Sequence, residues 1–231
     1  MRKDRGSVEE YPLSRNAVTR FDQEREEMIQ LLRERGIADE QVIQAMRRVP
    51  RHLFVPEAFV YHAYEDRALP IGLNQTISQP YTVAFMTQAL DVHEGNKVLE
   101  VGTGSGYQAA ILAEMGARVF TIERYFELLQ QARKTFEKLG YRVASKVGDG
   151  TVGWREFAPF DRIIVTAAAP EVPDPLLKQL NDDGRLVIPV GDLDVQELTI
   201  ISKKGEELSE EKVFGFKFVP LIGKKGWHGV R

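Results

Sequence analysis

Val98-Leu99-Glu100-Val101-Gly102-Thr103-Gly104-Ser105-Gly106-Tyr107 is the stretch of this 231-residue chain whose residue types and spacing point most directly to chemistry. An apolar, strand-like run ends in a glycine-rich turn that opens a helix. Such a turn brings backbone N–H groups and a helix N-terminus against a nucleotide. Glycine serves there because a β-carbon would block close approach and disfavour positive φ. Taken alone, the same loop also reads as a plain tight turn. Spacing narrows the ligand. A G-x-G-x-x-G fingerprint begun at Gly102 needs glycine at position 107, where Tyr107 stands, and no Gly-Lys-Ser/Thr follows to make a P-loop. What remains is Glu100-x-Gly102-x-Gly104-x-Gly106.

Two carboxylates fall in register with this loop. Val119-Phe120-Thr121-Ile122 delivers Glu123 about 20 residues beyond the glycines, where an acid at the end of the second strand can accept both hydroxyls of a ribose. Read alone, Glu123 is equally a solvated strand-end acid. Val147-Gly148-Asp149-Gly150 ends a third strand-like run, and its Asp-Gly pair is also a strong turn signal.

The elements that must position these residues alternate from Lys97 onward. Strands are expected at Val98–Val101, Arg118–Ile122, Ala144–Val147, Arg162–Thr166 and Arg185–Pro189, with helices near Tyr107–Met115, Phe126–Leu139 and Pro175–Leu180. The right-handed crossover rule puts the carboxyl ends of these strands along one ligand-binding edge. Glu197–Ser202 and Val213–Val219, separated by Lys203-Lys204-Gly205 and an acidic stretch, read as an antiparallel hairpin closing the sheet. Before the sheet, Met28, Ile29, Leu31 and Leu32 mark an amphipathic helix. A second helix begins at an Asp39 N-cap and stops at Pro50. Residues 50–80, with four prolines, read as irregular packed loops with short helices. The fold class is therefore α/β: a doubly wound, mostly parallel, Rossmann-like sheet with an N-terminal helical cap and an antiparallel C-terminal hairpin.

Composition removes other chemistries. No cysteine is present, which excludes disulfides, thiolate metal sites and cysteine nucleophiles. His52, His62, His93 and His228 show no metal-ligand spacing and read as surface or packing residues. A net charge of −3 gives no basic field for nucleic acid. No apolar run approaches the roughly 20 residues that span a bilayer. The charged residues 1–10 lack the apolar core of a secretory signal, so a cytosolic protein is expected.

The glycine pattern resembles motif I of class I S-adenosylmethionine-dependent methyltransferases. That resemblance implies S-adenosyl-L-methionine as cofactor, held by Gly102, Thr103, Gly104 and Gly106. Glu123 would then take the ribose, and Asp149 with Gly150 the adenine. The acceptor is suggested by a different segment. Leu69-Pro70-Ile71-Gly72 followed by Gln75-Thr76-Ile77-Ser78-Gln79-Pro80-Tyr81-Thr82-Val83-Ala84 closely resembles the substrate segment of the protein-L-isoaspartate(D-aspartate) O-methyltransferase family. The likeness continues through Val49–Pro56, Asp161–Pro170 and Phe218–Gly223. It covers nearly everything from Phe21 onward.

Membership would imply a monomeric enzyme with no metal, which methylates the free carboxylate of isoaspartyl residues in damaged proteins and peptides. The ester then closes to a succinimide and repair follows. Ser78 matches the family's active-site serine, which orients the acceptor carboxylate; its alternative is to N-cap the helix from Pro80 to Leu90. Thr76 and Ile77 would line the cofactor cleft, and Leu221 and Ile222 would contact the substrate main chain. The expected organisation is a charged extension over 1–20 and one methyltransferase domain over 21–231. Within it, 21–91 form the cap and substrate segment and 92–231 the cofactor-binding core. Two other readings remain open: a methyltransferase for a small molecule or RNA, and a non-catalytic module that kept the fold.

Overall fold

The computed structural model describes residues 15–228. Seven strands form one sheet: β3 (Lys97–Val101), β4 (Arg118–Glu123), β5 (Val143–Val147), β6 (Phe160–Val165), β7 (Leu180–Gly191), β8 (Gln196–Lys204) and β9 (Glu207–Phe216). Their spatial order is β5-β4-β3-β6-β7-β8-β9. The first five run parallel, and β8 and β9 are antiparallel additions. Sequential travel from β3 to β5 goes one way and the return to β6 goes the other. The topological switch point thus lies at the carboxyl end of β3, where ligands bind in open α/β sheets.

Period-two burial explains why the sheet is covered on both faces. Val98, Val119, Ile164 and Val187 face a core shared with the helical cap, α4 (Tyr107–Glu114) and α5 (Phe126–Leu139). Leu99, Val101, Phe120, Ile163 and Leu186 face a second core with Trp154 and Leu176. The cap consists of α1 (Arg15–Glu34), α2 (Glu40–Arg48) and α3 (Pro80–Leu90). Asp39 caps α2 as expected, its side chain accepting from the N–H groups of Gln41 and Val42. Leu32, Val42, Ile43 and Met46 are wholly buried, each contributing roughly 1.5–3 kcal/mol to the cap's attachment. His52 is a packing residue, stacked 4.4 Å from Phe21 and bonded to the Tyr64 hydroxyl. Burial lowers its pKa to about 4. No described helix is long and apolar enough to cross a membrane.

Four expectations change. The first turns of α1 fall within residues 1–20, of which 1–14 lie outside the described residues. The helix expected at Pro175–Leu180 is the short α6 (Asp174–Leu177), because buried Leu180 pairs with Phe160 and begins β7. The loops before α3 contain a small hairpin, β1 (Leu69–Gly72) and β2 (Gln75–Ile77), turned by Leu73 and Asn74 at φ 51° and 57°. In the C-terminal hairpin the acidic stretch is not a connection. It forms β9 itself, closed onto β8 by a turn at Gly205, and the ladder stops at Phe216 rather than Val219. The charges are tolerated because β9 is an exposed edge, where they also discourage pairing with another chain.

Candidate active site

At the switch point the chain leaves β3 through Gly102 at φ 98°. A β-carbon there would lie 2.4 Å from Thr166 Oγ1, whose hydroxyl donates to the Gly102 carbonyl at 2.6 Å. Thr166 follows β6, so the neighbouring strand pins the loop. From the other side, Thr103 Oγ1 lies 2.6 Å from Thr121 Oγ1, which donates to the buried Glu100 carboxyl at 2.5 Å. Burial raises the pKa of Glu100 to about 8. Its charge-neutral form therefore dominates at pH 7, behind the loop rather than in the cleft.

The cleft above this loop is lined by Thr76, Ile77, Ser78, Gly102, Thr103, Gly104, Glu123, Gly150, Leu221 and Ile222. Distant segments of the chain thus converge on one cavity. Glu123 is nearly buried and faces the loop. Its Oε2 accepts from Gly104 N at 2.8 Å, and its Oε1 accepts from Arg124 N and Tyr125 N at 2.7 and 3.0 Å. A carboxylate offers about four lone-pair sites, so capacity for one further hydroxyl remains in this geometry, not two. The solvated-acid alternative for Glu123 does not describe the structure.

Two further expected site residues also have partners within the chain. Gly106 begins α4 at φ 90°, and a β-carbon on it would meet Phe136 at 2.8 Å, so it permits α4 to pack on α5. Asp149 accepts from Thr151 N and Oγ1 at 2.9 and 2.6 Å and from Lys224 N at 2.8 Å. Its carboxylate ties the C-terminal segment to the end of β5, and these hydrogen bonds lower its pKa against the opposing effect of burial.

Ser78 does not cap α3. Gln79 occupies the N-cap position and no side chain caps the helix. The Ser78 carbonyl accepts from Arg51 Nη2 at 2.7 Å. Ser78 lines the cleft and also a second groove bounded by Gln79, Thr82 and Gly215–Val219. Sequence reasoning missed Arg51, Thr166, Arg124 and Tyr125. The last three each adjoin a recognised strand end, which was the available signal.

Fold and cleft define the class: an S-adenosylmethionine-dependent methyltransferase of class I. A family model described as protein-L-isoaspartate(D-aspartate) O-methyltransferase matches residues 23–226. The chain belongs to this family. It is 51% identical over 208 residues to a protein-L-isoaspartate O-methyltransferase of Dictyoglomus thermophilum, covering 90% of this chain and 94% of the relative. It is 55% identical to that of Chlorobium luteolum, with the same coverage. A solved protein-L-isoaspartate O-methyltransferase superposes with a TM-score of 0.80 at 29% identity, over 87% of this chain and 67% of that one. A beta-aspartate methyltransferase from Plasmodium falciparum, solved in complex with S-adenosyl-L-homocysteine, gives 0.74 at 26% identity over 86% and 98%.

Proposed function

We propose that this chain transfers a methyl group from S-adenosyl-L-methionine to the free α-carboxylate of isoaspartyl residues in damaged proteins and peptides. One observation carries the assignment of the reacting centre. Ser78 lies where the glycine-loop cleft meets the second groove, and among the described residues its hydroxyl has no hydrogen-bond partner.

The residues present suit the cofactor. Gly102 and Gly104 keep β-carbons out of the loop at positive φ, and Glu123 retains a lone pair facing that loop for a ribose hydroxyl. Gly150 lines the cleft at the end of β5 and would hold the adenine with Asp149, while Gly106 supports the loop. When bound, S-adenosylmethionine supplies a methyl group made electrophilic by its sulfonium sulfur. The acceptor carboxylate, with an ordinary pKa near 4, is already ionised at pH 7 and needs no general base. The chain's work is orientation: Ser78 Oγ donates to one carboxylate oxygen, leaving the other to face the methyl carbon, while Leu221 and Ile222 hold the substrate main chain. Fixing that alignment can contribute ~7 kcal/mol or more. A monomeric, cytosolic enzyme belongs to the same reading.

Radiolabelled methyl transfer tests this with a peptide containing one isoaspartyl residue and its aspartyl isomer. The first is methylated and the second is inert. Ser78→Ala lowers turnover more than cofactor affinity, because its bond matters most when carboxylate and methyl are aligned. Equal methylation of both isomers would sink the acceptor assignment.

A further inference from the structure

The two cavities that meet at Ser78 are unequal in charge. Their combined lining contains one acid, Glu123, whose oxygens face backbone amides, and two cations, Arg124 and Lys217. Two more cations, Lys224 and Lys225, follow closely on cleft-lining Ile222, and their backbone N–H groups bond to Asp149 and Thr151. All four are exposed. Among the described residues none of the four is in an ion pair, although thirteen such pairs occur elsewhere. One more acid stands among them, Asp149, whose carboxylate accepts from Lys224 N and feels the Arg124 charge; the four exposed cations still outnumber Asp149 and Glu123 at one mouth of a chain of net charge −3.

Among the described residues Lys217 is the one charged residue lining the second groove, and its neighbours hold it there. Phe216 stacks parallel to Tyr81 at 6.2 Å, and Phe218 N donates to Gln196 Oε1 at 3.0 Å. The backbone carrying the lysine is therefore fixed on both sides while the ammonium stays in solvent.

We propose that Lys217, aided by Lys224 and Lys225, selects isoaspartyl substrates that carry a second carboxylate close in sequence. The partner is an acidic peptide segment whose extra Asp or Glu lies along the groove while its isoaspartyl carboxylate meets Ser78. This rests on the isoaspartyl reading. The cations act before and during docking by electrostatic complementarity, so their effect is on kcat/KM and fades with salt.

The test uses the full chain and peptides with one isoaspartyl residue, in which a single flanking position is scanned with Glu or with Gln. The ratio of kcat/KM for Glu over Gln is expected to exceed one at one or two positions at low salt, and to fall toward one as salt is raised. Lys217→Gln lowers that ratio about threefold, the size of an exposed ion pair, and Lys217→Glu inverts it. The triple Lys217, Lys224 and Lys225→Gln variant flattens it fully. A ratio identical in the unsubstituted protein and all variants overturns the proposal. So does an equal loss on both peptides, since the lysine would then grip the reacting carboxylate itself or merely hold the wall. Absence of methylation of every isoaspartyl peptide by the unsubstituted protein strikes instead at the function on which the proposal rests.

Discussion

Arg51 donates through Nη2 to the carbonyl of Ser78 at 2.7 Å from a position with no solvent exposure. Its Nε donates to the Ala63 carbonyl at the same distance, and its guanidinium lies 4.8 Å from the ring centre of Tyr107, the first residue of α4. One buried cation thus joins the substrate segment to the helix that begins at the glycine loop. Burial lowers its pKa. Arg51→Met leaves one buried and one part-buried carbonyl without a donor and is expected to cost about 3 kcal/mol in urea denaturation. Arg51→Lys keeps a charge but not the two-pronged geometry. Its turnover should fall severalfold with cofactor affinity little changed; unaltered turnover would return Arg51 to a purely structural role.

Glu123→Gln replaces an acceptor with an amide whose NH2 must face one of three backbone donors. Cofactor affinity measured by calorimetry should drop by roughly 1.5–3 kcal/mol, the scale of charge-assisted hydrogen bonds. Peptide affinity at saturating cofactor should hold.

The pKa of Glu100 gives a pH signature. An acid with a folded pKa raised to about 8 from an unfolded value of 4.5 binds a proton in the native state that the unfolded state has lost. Its contribution is fully present below the unfolded value. Stability then falls as pH rises from about 4.5 to about 8. Glu100→Gln removes the titration, so its urea midpoint should decline less over that window than that of the unsubstituted protein. Parallel declines would show that Glu100 is ionised throughout.

Two glycines of one loop should separate on substitution. Gly106→Ala puts a methyl 2.8 Å from Phe136 at φ 90° and should lower thermal stability by about 1–3 kcal/mol. The folded fraction should still bind cofactor. At Gly104 the nearest atom to a β-carbon is Ile71 Cδ1 at 3.4 Å, so the cost of substitution is the strain of φ 52° rather than a clash, and Gly104→Ala should leave a mostly folded protein that binds S-adenosylmethionine poorly. Calorimetry with circular dichroism distinguishes the two.

The parallel sheet was legible because apolar runs of strand length alternate with helical periodicity, and glycines mark the turn after β3. Ser78, Thr76 and Ile77 were legible only through resemblance, since a Ser-Gln-Pro run before a helix reads locally as a cap. Other features were hidden by tertiary context. Arg51, between Pro50 and His52, has nothing in its neighbours to show that it is buried under Ser78. Glu210, Glu211 and Lys212 look like a loop because their strand sits at an edge and buries almost nothing. Gly106 and Asp149 also have partners that the sequence does not show, Phe136 and Lys224, 30 and 75 positions away.

The tie between Asp149 and Lys224 has a temporal consequence. Residues 219–227 wall the cleft through bonds that return to Asp149, Thr151 and Ala168, spanning 75, 74 and 59 positions. A nascent chain emerging from its N-terminal end can assemble its five parallel strands while these partners are still unmade. The cleft is therefore a part of the molecule completed by contacts that span long stretches of sequence, and its last wall depends on residues that must all be present before it can close.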